Sequence, residues 1–181
     1  MAIEAAVQHR VFRVPPGWMA AEATATGICR LPLPVRTRAE AKKRLSADST
    51  PAPAHHPILA RAEPELRAYF AGSRAGFSAP VDLSAMSPFR RRVLEALMRV
   101  PYGATESYAG LAAAAGSPRA ARAVGQAMAN NPVPIIVPCH RVIGADGSLT
   151  GFGGGLPWKR ALLALEQGDP SALLGLAGAA T

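Results

Sequence analysis

The chain has 181 residues, 49% of them hydrophobic and 18% charged, which suits one or two soluble domains with apolar material enough for a core. Its formal net charge of +8 points to a polyanionic partner, either nucleic acid or an anionic membrane surface. No apolar run approaches the ~18 residues of a membrane span, Met1 to Arg10 lacks a signal-peptide apolar region, and Cys29 and Cys139 form no CxxC pair, disulfide framework or zinc site. A cytoplasmic protein with free thiols is the expectation.

Val11 to Val14 and Trp18 to Ala25, separated by Pro15-Pro16-Gly17, read as two strands joined by a turn, and Gly27 to Leu31 continues as a third, giving a small antiparallel sheet. Cys29 reads as core. Arg38 to Leu45 has helical composition, with Lys42, Lys43 and Arg44 as a solvated face. Ser49 to Pro57 is proline-rich and aperiodic, so it reads as an exposed loop, and its His55 and His56 have no partner at metal-ligand spacing. Glu63 to Ala71 is predicted helical, with Leu66, Tyr69 and Phe70 inward; Gly72 to Leu83 reads as a linker. Residues 1–83 thus make an α/β N-terminal domain.

A mostly helical second domain is expected over 84–168, and 169–181 as a flexible tail. Ser87-Pro88 opens a helix along which Phe89, Val93, Leu94 and Leu97 recur at helical spacing, leaving Arg90, Arg91 and Arg92 outward. Pro101-Tyr102-Gly103 stops it. Thr105 or Ser107 caps the next helix, which carries Tyr108, Leu111, Ala112 and Ala115 and ends at Gly116. Ser117-Pro118 starts another at once, running to Ala129, so the pair makes a helix-turn-helix pattern. Ala120, Ala121, Ala123, Gly125 and Ala127 surround one long cation there, Arg122. Small residues let a backbone come close to another surface, a neighbouring helix or DNA. Gly151 to Gly155 is a flexible stretch able to wrap a ligand, and Trp158 to Glu166 is a helix with Leu162, Leu163 and Leu165 inward.

The densest chemistry lies from Asn130 to Gly144, where Pro138-Cys139-His140-Arg141 sets a thiol, an imidazole and a guanidinium side by side. A thiol of pKa ~8.5 is mostly protonated at neutral pH and needs a base or a positive field to become a nucleophile. Prolines flanking Ile135 to Val137 predict a short apolar strand that ends in a rigid bend at Cys139. Taken as a bare dipeptide, Cys-His reads as two structural residues; the prolines and asparagines around it argue for a site.

These residues carry a resemblance. Pro101-Tyr102-Gly103, Thr105, Ser107-Tyr108, Ala121 to Gly125, Asn131-Pro132, Pro138 to Val142 and Gly153-Gly154-Gly155, in this order between about Leu66 and Glu166, resemble the O6-alkylguanine-DNA alkyltransferases. The resemblance implies a ribonuclease-H-like N-terminal domain and a winged-helix-like C-terminal domain. It implies a monomer acting without cofactor or metal on double-stranded DNA bearing alkylated guanine, and DNA repair in a single turnover. The damaged base would be flipped out of the duplex. Arg122, with Ala120, Ala121, Gly125 and Ser107, would contact DNA from the minor groove and fill the gap in the stack. Tyr108 would hydrogen-bond the flipped base, Pro134 and Phe152 would pack on it, and the Cys139 and Val142 carbonyls and the Gly153 amide would read its edge. Glu166 would hold His140, which would deprotonate Cys139 through a water, and Asn131 would fix the turn beneath Cys139. Phe152 stands where the family often has Tyr, and Arg90 where it often has Gln. The competing readings are a helix-turn-helix regulator or lesion sensor without transfer activity, and a cysteine hydrolase using Cys139, His140 and Glu166.

Overall fold

The computed structural model describes residues 6–176, so the expectations for the first five residues and for 177–181 of the tail lie outside the described residues. By internal contacts the chain divides into one unit of Met1–Asp82 with Leu174–Thr181 and a second of Leu83–Leu173.

In the first unit β1 (Gln8–Val14) and β2 (Gly17–Ala23) form a hairpin in which Val14 pairs with Gly17 across Pro15-Pro16. β3 (Ile28–Arg30) adds antiparallel to β2, and β4 (Thr50–Pro51) adds parallel to β1, giving the order β3-β2-β1-β4. The sheet is therefore mixed, not purely antiparallel. The predicted loop of Ser49 to Pro57 contains β4, whose proline sits at an edge, where a missing donor costs nothing.

Side chains alternate along the strands. Val11, Trp18 and Ala20 face α1 (Arg38–Lys43) and pack with Ala41 and Leu45, while Arg38 lies over the Trp18 ring. Phe12 points to the other face, under Arg67 of α2 (Pro57–Phe70). Thr37 and Glu40 close a capping box on α1. α2 starts six residues before the expected Glu63, because Pro57 occupies the first helical position, where its missing N–H is no loss, and buried His56 caps it through Nδ1, which accepts from the Leu59 amide at 3.2 Å. The predicted linker also differs: Val81 bridges to Ile28, and Ala79 and Leu83 are buried.

The second unit contains α3 (Pro88–Leu97), α4 (Tyr108–Ala114), α5 (Ala121–Ala129) and α6 (Leu156–Glu166). Ser107 caps α4, its Oγ accepting from the Gly110 amide at 2.9 Å. α5 begins at Ala121 and not at Pro118, because Ser117 to Ala120 close a turn in which the Ala120 amide donates to the Ser117 carbonyl. β5 (Glu106–Ser107) and β6 (Val142–Ile143) pair in parallel. This short ladder ties the chain just before Tyr108 to the chain just after Arg141. In the expected tail, Pro170–Leu173 forms a 3-10 turn with Leu173 buried. Among the described residues no helix is long and apolar enough to cross a membrane.

Candidate active site

The bend under Cys139 is built by polar and strained backbone rather than by the expected strand. Asn131 accepts from the Val133 amide through Oδ1 at 3.0 Å and donates through Nδ2 to the Val137 carbonyl at 2.8 Å. Between them Ile135 has φ +77°, a conformation that costs a β-branched residue about 1–3 kcal/mol and persists only where its surroundings impose it. The Val137 amide returns to the Val133 carbonyl, so the segment folds on itself. Cys139 then opens a 3-10 turn, Cys139–Arg141, and is 6% exposed.

That turn aims His140 and Arg141 at one carboxylate. Glu166, the last residue of α6, is 3% exposed, whereas a helix-end Glu is ordinarily a surface group. Its Oε1 lies 2.7 Å from His140 Nε2; Arg141 Nε donates to Oε2 and Arg141 Nη2 to Oε1, each at 3.0 Å; and the Gly103 amide donates to Oε2 at 2.9 Å. Burial pushes the Glu166 carboxyl up, but the bonds from His140 and Arg141 outweigh it and hold the group at about 2. Burial likewise drives the His140 imidazole below its ordinary value, against the pull of Glu166, so the ring is neutral at physiological pH and available as a base. The Cys139 thiol is raised, chiefly by burial; Asn131, the backbone amides of Cys139 and His140, and the charge of Lys159 pull the other way.

Two charged residues of this centre were given no role in the sequence reading: Arg141, noted there only as a guanidinium beside Cys139-His140, and Lys159. Arg141 also donates to the Val100 carbonyl at 2.6 Å and lies over the Tyr102 ring, and its place beside Cys139-His140 was the signal that could have found it. Lys159 is fully buried on α6, with Nζ donating to the Val142 carbonyl at 2.5 Å and to the Thr150 carbonyl at 3.0 Å. Nothing local in the sequence marks it, because its acceptors lie on other segments, one on β6 and one in the loop that follows.

A cavity of about 470 Å³, within the ~300–1,000 Å³ usual for small ligands, is lined by Tyr108, Gly125, Ala129, Thr150, Gly151, Phe152 and Gly153. It unites the predicted Tyr108, Phe152, Gly153 and Gly125; Pro134, Val142 and Cys139 are not among its lining residues. A Cβ at Gly125 or Gly153 would meet its nearest neighbour only at 3.9 Å, so packing does not require these glycines, and their effect is to leave the cavity wide. Arg122 is exposed on α5 with Ala123, Gln126 and Ala129, while Ala120 and Ala121 are half-buried. Ser107 spends its hydroxyl on the α4 cap. Among the described residues no cluster of three or more His, Cys, Asp or Glu side chains could hold a metal.

A buried Cys-His-Glu centre at the foot of a helical unit, beside a paired α4 and α5, defines a class of cysteine-nucleophile proteins. Residues 88–168 match the family profile described as 6-O-methylguanine DNA methyltransferase, DNA binding domain. A methylated-DNA–protein-cysteine methyltransferase of Mycolicibacterium paratuberculosis is 54% identical over 118 residues, 65% of this chain and 71% of the relative. One of Mycobacterium tuberculosis is 54% identical over 112 residues, 62% and 67% of the two chains. The crystal structure of Mycobacterium tuberculosis OGT in complex with DNA has a TM-score of 0.78 at 39% identity, covering 92% of this chain and 98% of that one. The chain belongs to the methylated-DNA–protein-cysteine methyltransferase family.

Proposed function

We propose that this protein repairs double-stranded DNA by taking the alkyl group from O6 of guanine onto Cys139, once and irreversibly. The observation that carries the reading is the buried relay in which Glu166 fixes His140 at 2.7 Å in the turn that bears the thiol. Family membership supplies the substrate class, since its relatives are named for methylated DNA.

In the reaction the Cys139 sulfur attacks the alkyl carbon; the S–C bond forms as the C–O6 bond breaks, and the bonding pair leaves on the guanine. The thiol proton passes through a water to His140, on Nδ1, since Nε2 faces Glu166, and the carboxylate steadies the imidazolium that results. Tyr108 donates to the departing base, and the Gly153 amide to its O6. Phe152 and Pro134 pack on the ring, and the Cys139 and Val142 carbonyls accept its exocyclic amine; the Val142 oxygen has a second lone pair beyond the one Lys159 occupies. The base reaches the site by flipping, a step costing a few kcal/mol that Arg122 offsets by entering the stack. α5 approaches the minor groove through Ala120, Ala121 and Gly125, with Ser107 at the rim. Asn131 keeps the turn rigid. The thioether product has no group to hydrolyse it, so each molecule acts once.

The finer assignments belong to the same proposal: a ribonuclease-H-like first domain over 1–83, a winged-helix-like second over 84–168, a cytoplasmic monomer, and no cofactor. The test is the intact mass after incubation with duplex DNA carrying a single O6-methylguanine, followed by peptide mapping. One methyl on Cys139, stoichiometric with restored guanine, is expected. Unchanged mass despite DNA binding would overturn the reading in favour of a regulator or lesion sensor.

A further inference from the structure

Tyr108 and Thr150 lie on opposite chain segments of the same cavity wall, and their hydroxyls meet: Thr150 Oγ1 donates to the Tyr108 hydroxyl at 2.8 Å. Tyr108 is the first residue of α4, whereas Thr150 belongs to the loop between β6 and α6. A threonine in a loop facing solvent has no reason of its own to stay at that distance. What holds it is the buried ammonium of Lys159, which binds the Thr150 carbonyl at 3.0 Å and the Val142 carbonyl at 2.5 Å. Residue 150 is therefore fixed through its backbone to the chain that leaves the Cys139 turn, and reaches Tyr108 through its side chain.

The polarity of the contact matters. By donating, Thr150 occupies a lone pair of the phenol oxygen and leaves the phenolic proton for another acceptor, and a hydroxyl that accepts one bond donates a stronger one. The branched side chain of threonine is stiff at χ1, so the direction is held with little rotamer freedom.

We infer that Thr150 is a positioning residue for alkyl transfer, which aims the Tyr108 hydroxyl into the cavity as a donor to the leaving base. This rests on the function proposed above. Loss of one neutral hydrogen bond of ~0.5–1.5 kcal/mol corresponds to a rate change of roughly 2- to 10-fold. Thr150→Val, which removes the hydroxyl at nearly constant shape, should slow methylation of Cys139 by that factor, measured by mass on duplex DNA containing O6-methylguanine. Thr150→Ser should restore most of the rate. In a Tyr108→Phe background, Thr150→Val should cost nothing further, and affinity for unmodified duplex should be the same in wild type and Thr150→Val.

Overturning results are a Thr150→Val protein as fast as wild type, a serine variant as slow as the valine one, or an equal penalty with and without the Tyr108 hydroxyl. If Tyr108→Phe is too slow to time, the contrast between serine and valine decides. A wild-type protein that never gains the methyl sinks the functional reading and this inference together; active wild type with any of the three results above sinks the inference alone.

Discussion

The two units bury polar side chains to different ends. In the first, Glu22 is 1% exposed and accepts neutral donors, the Ser46 amide at 2.5 Å and the Ser46 hydroxyl at 2.7 Å, while His56 caps α2. Both fasten helix ends, Ser46 just after α1 and His56 just before α2. In the second, His140, Arg141, Lys159 and Glu166 are all buried, and together they hold chain that has almost no regular structure of its own. Glu22 fastens a fold; Glu166 meets charged and titratable donors, and so orients the His140 imidazole beside Cys139.

That contrast can be broken by experiment. The largest effect is expected from Cys139→Ser, which should abolish the mass gain while leaving thermal unfolding close to that of the parent. Glu166→Ala should follow, since it strands Arg141 in the interior: a stability loss of about 3–5 kcal/mol and loss of transfer. Glu22→Ala should cost only about 1–3 kcal/mol for two unpaired Ser46 groups and leave the transfer rate per folded molecule unchanged. Paired denaturant titrations and rate measurements check this, and equal penalties would erase the distinction.

Lys159→Met ranks next. It frees the Val142 and Thr150 carbonyls, at ~1.5–3 kcal/mol for each bond to a charged donor before water recovers part of it, and removes a charge that favours the thiolate. Labelling of Cys139 by a small alkyl halide should slow. A faster reaction would mean that access, not charge, limits the thiol.

A smaller, graded effect is expected from pH. The unfolded chain protonates His140 below ~6.5, whereas the folded protein resists that proton. This contribution is complete above the unfolded value and falls as pH drops, by at most ~1.4 kcal/mol per pH unit per proton. Glu166 adds the same sign lower down, its share being lost as pH falls towards its folded value of about 2. Unfolding midpoints should therefore decline between about pH 7 and about pH 5, and a rise would refute the buried neutral imidazole. The smallest change is expected for Cys29→Ala: burial lifts that thiol to about 11, and transfer should be unaffected.

What could be read beforehand follows the same division. Periodic apolar residues such as Val93, Leu94 and Leu97, and turn residues such as Gly116, announce elements locally, so the helices and the hairpin were legible. The edges of α2 and α5 were not: Pro57 read as the end of a loop and Pro118 as a helix start, whereas Pro57 opens α2, with Pro64 inside it, and Pro118 stands in the turn before α5. Cys139, His140, Glu166 and Asn131 stood out through a whole motif. Lys159 and Thr150 did not, since each takes its meaning from a carbonyl or hydroxyl on another segment. β4 was missed for a related reason: two residues carry no period.

The spare room at Gly125 and Gly153 has a practical side. Because a methyl added at either place touches only Tyr108 Cε1 or the Ala129 carbonyl at van der Waals distance, the cavity they line can be trimmed in single-carbon steps without rebuilding its walls. These two positions make the cavity a graded instrument, whose volume a protein engineer can set in steps while Cys139, His140 and Glu166 stay untouched.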